Sequence, residues 1–343
     1  MDNKLLSIPH LFEQVVLQNT HKTAIICNGK TLSYNDVNQK ANQLAHLLIG
    51  RYGLKRGSVI AVFDDSSEWT IISMLAILKI GCIYLPLDSK YPEERIKFNI
   101  NDAQILLIIV GSSYFKRIDF VSIPRLIIEN LEDAISEFST DNPQVDSTPD
   151  DAAYIMYTSG TTGNPNGVLI PQKGIIRLVN SDFLPFDSNL TFLQLAPLGF
   201  DASTFEIWGA LLHANKLVVY AHHSTEFSEI SRLIHTYKIN CIWLTASFFN
   251  RLIDEDATIL NGVTYILTGG EALSVSHIKK AQNLLKDSTF INGYGPTECT
   301  TFTCCYTIPD LQNVELNSIP IGKPIAKTSV HLLDKKNGTR ERG

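Results

Sequence analysis

The chain has 343 residues, with 29 Lys+Arg against 35 Asp+Glu, a formal charge of -6 and 44% hydrophobic residues. That length buries a large core and suits two globular units or one with an appendage. Slight acidity without a long basic run argues against nucleic acid as a partner.

The 6 cysteines lie without a C-x-x-C pair and the 9 histidines without H-E-x-x-H, which predicts reduced cytoplasmic thiols and no structural zinc. MDNKLLSIPHLFE at the start has no charged region leading into an apolar run, so no signal peptide is expected. The most apolar window, 71–87, is broken by Lys79, Gly81 and Pro86; it predicts a buried helix and strand rather than a membrane span.

In chain order, residues 8–17 have helical spacing, and runs at 23–27 and 31–34 flank Asn28-Gly29, a hairpin signal. A helix follows, with Asn35 or Asp36 as its cap, Val37, Ala41, Leu44, Ala45 and Leu48 on one face, and Gly53 at its end. Strand 59–63, helix 68–79, strand 83–87, a helix opened by Pro92 and a fully buried strand at 105–110 continue the alternation. The segment 139–151, STDNPQVDSTPDD, breaks the rhythm and reads as a linker or as a surface loop within one fold. After it come strand 192–195, a helix from Ser203, strand 217–220, helix 229–237, strand 241–244, helix 248–253, strand 264–267, helix 275–285 and strand 289–292. Strands alternating with helices imply parallel sheets covered on both faces. The tail, 319–334, looks like strands of a smaller piece.

Three stretches carry chemistry. Residues 153–168, AYIMYTSGTTGNPNGV, run from an apolar strand into Thr158, Ser159, Gly160, Thr161, Thr162 and Gly163, then into a second strand at 167–171. Such a loop is either a polar hairpin or a phosphate cradle, since glycines allow close approach while N–H groups and hydroxyls supply uncharged donors. It is not a Walker A loop, because no Gly-Lys-Ser/Thr follows.

Residues 292–298, NGYGPTE, lie at a strand's carboxyl end, where open α/β sheets bind ligands. A turn explains the Asn, glycines and Pro; it does not explain Tyr294, which suits stacking on a planar base, or Glu298, which suits Mg²⁺ beside substrate phosphates. In 200–206, FDASTFE, Ser203 and Glu206 read as a capping box and Asp201 as a helix-entry residue. Alternatively Asp201 and Phe205, four apart, present an anion and an aromatic to one cavity, which suits an ammonium on an apolar side chain.

Together these stretches resemble the amino-acid-activating adenylation domains of nonribosomal peptide synthetases, within the acyl-adenylate-forming family. The resemblance runs from about Leu11 to Asp334 through LSYNDV (32–37), LKIGCIYLPLD (78–88), the 154–168 loop, FDAS (200–203) and NGYGPTE, in the family's order. It implies an α/β fold: two doubly wound subdomains, 1–150 and 151–315, then the start of a small distorted β-barrel at 316–343. It also implies formation of aminoacyl-AMP from an amino acid and Mg-ATP, then loading of a peptidyl carrier protein's phosphopantetheine thiol.

By resemblance Thr158 to Gly163 contact the triphosphate, with Thr158, Thr297 and Glu298 in catalytic roles and Glu298 holding the metal. Gly269, Gly270, Glu271, Asn292, Gly293, Tyr294 and Gly295 surround the nucleotide, Tyr294 against the adenine and Thr297 at the α-phosphate. Asp201 pairs with the α-ammonium, and Asp201, Ala202, Phe205, Trp243, Leu267, Gly269, Gly293, Thr301 and Phe302 line a side-chain pocket. That pocket is apolar, with Gly269 and Gly293 leaving room for a branched aliphatic group, and it resembles those of valine-activating domains.

Two departures stand out. Asn166 replaces the family's usual lysine in Pro-Lys-Gly, and the sequence stops before the ribose-binding aspartate, the hinge and the C-terminal lid with its catalytic lysine. A truncated, non-catalytic binding or docking module is therefore one alternative. A carboxylic acid–CoA ligase is another, disfavoured because an acid lacking an ammonium leaves Asp201 unpaired.

Overall fold

The computed structural model describes residues 6–158, 165–187, 189–221 and 226–333. Two sheets organise them. The first has the order β6-β5-β3-β4-β7-β8, with β3 (Val59–Phe63), β4 (Ile83–Pro86), β5 (Leu107–Val110), β6 (Arg125–Ile127) and β7 (Ala152–Thr158) parallel and β8 (Asn166–Pro171) antiparallel at the edge. The second has the order β15-β14-β13-β12-β11-β9-β10-β1-β2. Its parallel centre is β9 (Thr191–Gln194), β10 (Lys216–Val219), β11 (Cys241–Thr245), β12 (Tyr265–Gly269) and β13 (Thr289–Tyr294).

Sheet membership does not follow chain order. β1 (Thr23–Cys27) pairs with β10, and β2 (Lys30–Ser33) forms the edge beyond it, so the N-terminal hairpin belongs to the second sheet. β7 and β8, which lie beyond residue 150, belong to the first. β14 (Cys304–Thr307) and β15 (Lys323–Pro324) extend the second sheet's other edge, so the described part of the tail adds to that sheet.

Local chemistry explains most elements. Asn28 (φ 48°) and Gly29 (φ 80°) both take the left-handed conformation that a tight hairpin requires. α2 (Tyr34–Tyr52) ends on Gly53 in that same region. Its start differs from the sequence reading: Ser33 is the cap, its hydroxyl accepting from the Asp36 N–H while the Asp36 carboxylate accepts from the Ser33 N–H.

α3 (Glu68–Lys79) is buried on every side, because it lies between the sheets and touches β1, β3 and β4. Lys79, at its end, is buried against Glu13, and burial lowers its pKa. α7 (Ala202–Leu211) occupies the same layer; its Trp208 donates to the Tyr84 hydroxyl of β4 at 3.3 Å. Segment 139–151 is no free linker. Asn42 donates to the Thr140 carbonyl at 2.7 Å and to Asn142 Oδ1 at 2.8 Å, which straps the segment across α2. Among the described residues no helix is long and apolar enough to cross a membrane.

Candidate active site

β9, β11, β12 and β13 are parallel and adjacent, so their carboxyl ends meet on one edge of the second sheet. There they enclose a cavity of about 470 Å³, the size of a small-molecule site. Asp201, Ala202, Trp243, Thr301 and Phe302 form its side-chain walls. Gly269, Gly270, Glu271, Gly293 and Gly295 supply the glycine-rich side.

Asp201 stands at the N-terminus of α7, and its carboxylate caps nothing. Burial pushes its pKa up and Glu298 adds to the rise, while the Thr297 hydroxyl and the Ala202 N–H oppose it. The anion is thus held among few donors beside an apolar wall, an arrangement that favours a cationic partner. The capping box read from Ser203 and Glu206 does not form. Ser203 Oγ donates to the Phe200 carbonyl at 2.7 Å, and Glu206 is buried, accepting from the N–H groups of Leu195 (3.2 Å) and Ala196 (3.1 Å). The strand end beyond β9 needed an acceptor, and that long-range demand outweighs the local cap. Glu206 therefore shapes the 195–197 backbone, two residues of which, Ala196 and Pro197, face the cavity.

Other expected residues stand behind the wall. Phe205 is fully buried with its ring centroid 5.5 Å from that of Phe302, and Leu267 is fully buried in the core. The two glycines do not create vacant room: a Cβ on Gly269 would lie 2.0 Å from the Gly293 carbonyl oxygen, and one on Gly293 would lie 2.5 Å from the Phe302 ring. They are needed for close packing, and the Phe302 ring already fills the space that Gly293 leaves.

Tyr294 is 48% exposed, while Asn292 is buried and donates to the Pro320 carbonyl at 2.9 Å. Thr158 ends β7 opposite Asn166; Ser159, Gly160, Thr161, Thr162 and Gly163 lie outside the described residues. Glu298 is exposed on a single turn with Thr297 and Cys299, and it lines a neighbouring cleft of about 570 Å³. Among the described residues no three His, Cys, Asp or Glu side chains cluster as a metal site. Glu298 alone fits Mg²⁺, which commonly takes one or two protein carboxylates and fills its shell with phosphate and water oxygens.

Sequence reasoning missed Ala196, Pro197, Phe200, Thr245 and Ser247 in the cavity wall. Phe200 was legible only as the first letter of a motif, and its 52% exposure at the wall carries no periodic signal.

Parallel strands that end together on a glycine-rich cavity bearing the half-buried Asp201 define an α/β protein that binds small ligands at its strand carboxyl ends. The chain belongs to the AMP-binding enzyme family, which it matches over residues 12–343. It is 35% identical over 334 residues to tyrocidine synthase 3 of Brevibacillus parabrevis, covering 97% of this chain and 5% of that protein. It is 33% identical over 331 residues to bacitracin synthase 1 of Bacillus licheniformis, covering 96% of this chain and 6% of that one. The chain thus spans a small fraction of those relatives. Among solved structures it resembles PA1221, described as a nonribosomal peptide synthetase protein containing adenylation and PCP domains. The TM-score is 0.90 at 33% identity, over 98% of this chain and 66% of that one. The N-terminal subdomain of Klebsiella oxytoca NpsA shares the fold, with a TM-score of 0.88 at 23% identity, over 99% of this chain and 84% of that one.

Proposed function

We propose that the chain activates an amino acid, L-valine first, by adenylation in the cytoplasm for loading onto a carrier protein. The observation that carries this reading is Asp201 at the edge of a cavity walled by Trp243 and Phe302: a half-buried anion for an ammonium, and apolar surface for a side chain without charge, with the exposed Glu271 on the glycine-rich side. Likeness to peptide synthetases and to an adenylation–PCP protein supports the reaction class and the carrier.

In this reaction a carboxylate oxygen of the amino acid attacks the α-phosphorus of ATP. The bond from that phosphorus to the bridging oxygen breaks, and pyrophosphate leaves. Asp201 fixes the ammonium and so aims the carboxylate; Tyr294 stacks on the adenine; Thr297 donates to the α-phosphate; Thr158 to Gly163 cradle the leaving phosphates. This is catalysis by positioning and needs no side-chain nucleophile. Mg²⁺, held at Glu298, would neutralise charge on the phosphates. The phosphopantetheine thiol of the carrier then attacks the acyl carbon and releases AMP.

Amino-acid-dependent ATP–pyrophosphate exchange tests the reading. Exchange led by valine, with isoleucine, leucine and 2-aminobutyrate behind, is expected, because one methylene changes transition-state binding by only about 1–3 kcal/mol. Preference for phenylalanine, aspartate or lysine sinks the valine assignment, and binding without any exchange returns the chain to a binding module.

A further inference from the structure

The cavity's Thr301–Phe302 wall is built on an unusual turn. Thr300 (φ 57°) and Thr301 (φ 62°) are consecutive β-branched residues in the left-handed region, both buried. Such a backbone persists only when its surroundings hold it. Thr301 Oγ1 donates to the Asp201 carbonyl at 2.7 Å, so the turn also fixes the main chain that carries the cavity's anion.

What holds the turn is α6 (Gln172–Val179), a helix the sequence reading did not identify. Gly174 and Arg177, three apart, share one face of it. Gly174 lets Thr300 come close, since a Cβ there would lie 2.5 Å from Thr300 Oγ1. Arg177 Nη2 sits within hydrogen-bond distance of three carbonyls of the turn, those of Cys299 (2.5 Å), Thr300 (3.3 Å) and Phe302 (3.0 Å), and Nη1 donates to Thr328 Oγ1. Among the described residues no carboxylate pairs with this guanidinium, so its donors go to backbone oxygens.

We propose that Arg177 is a positioning residue for amino-acid selection: by clamping the carbonyls of residues 299–302 it sets where Thr301, Phe302 and the Asp201 main chain stand around the substrate. The proposal rests on the amino-acid reading of the cavity for its functional half. The clamp itself does not.

The test compares the parent chain with Arg177→Met and Arg177→Lys by amide hydrogen exchange, and by separate calorimetric titrations with L-valine and with ATP. In Arg177→Met, exchange at residues 299–303 should rise at least tenfold while the β3–β5 amides stay unchanged. L-valine affinity should fall at least tenfold and ATP affinity stay within twofold. Arg177→Lys, which keeps a cationic donor, should recover part of both losses. Unchanged exchange at 299–303 in Arg177→Met overturns the clamp. Acceleration across both sheets with equal loss of L-valine and ATP also overturns it, since the arginine then merely supports the fold. A parent that binds ATP but none of the aliphatic amino acids sinks the amino-acid reading, and the exchange rates at 299–303 then decide the clamp alone.

Discussion

If Asp201 pairs with the substrate ammonium as proposed, removing its carboxylate leaves that ammonium without a counter-charge, while Trp243 and Phe302 still face the side chain. Truncating one partner of a buried charge pair costs about 2–5 kcal/mol, so Asp201→Ala should weaken L-valine binding by about thirtyfold or more in calorimetry while ATP binding holds. The same group sets a pH dependence. Its pKa is raised by burial, and only the ionised form pairs with an ammonium, so affinity should fall as pH drops through that raised value from a plateau at neutral pH. Affinity that stayed flat as the Asp201 carboxylate was protonated would contradict the pairing. Tyr294→Ala should cost ATP about 1–3 kcal/mol of binding, the size of a base-stacking contact, read in the same titration. The placement of Asp201 at a helix start and of Tyr294 at a strand end was legible, because each sits in a short motif. The role of Glu206 was not, since its partners, Leu195 and Ala196, precede it by a stretch of chain and a bend that no periodicity reveals.

At the level of elements, β12 and β13 meet through Gly269 and Gly293. Gly293→Ala should push the Phe302 ring into the cavity, because the new methyl would contest its place at 2.5 Å. Exchange assays should then show leucine and isoleucine losing more activity than valine; a wider substrate range would mean the ring moved the other way. Glu206 joins α7 to the end of β9, and burial raises its pKa well above the usual value. The native state therefore keeps a proton that the unfolded chain releases at about pH 4.3. Stability from this group is full below that value and declines as pH rises toward the folded pKa. Denaturant unfolding followed upward from about pH 4.3 should show this slope, and Glu206→Gln should flatten it. Most helices and strands were readable from apolar spacing and caps. α6 was not, for it follows β8 without a break, lacks a side-chain cap and carries Gly174 in its first turn.

The whole molecule is tied by contacts that ignore chain order, and for that reason the 139–151 segment could not be assigned from composition. Its anchor is Asn142, whose Oδ1 accepts from Asn38 (3.1 Å), Asn42 (2.8 Å) and Lys79 (3.3 Å). Asn142→Ala should lower unfolding free energy by about 1–3 kcal/mol, because buried donors lose their acceptor. A change within experimental error would return the segment to a passive loop. The exchange of strands between the sheets has a further bearing, on synthesis. As the polypeptide leaves the ribosome, Ile25 and Ile26 are made early, but their neighbours Leu217 and Val218 emerge only after the first sheet has been translated in full. Until then the β1–β2 hairpin has an open edge and an apolar face, which is a liability for aggregation. Nascent chains arrested before β10 should therefore recruit chaperones at residues 23–33 and release them once that strand is out.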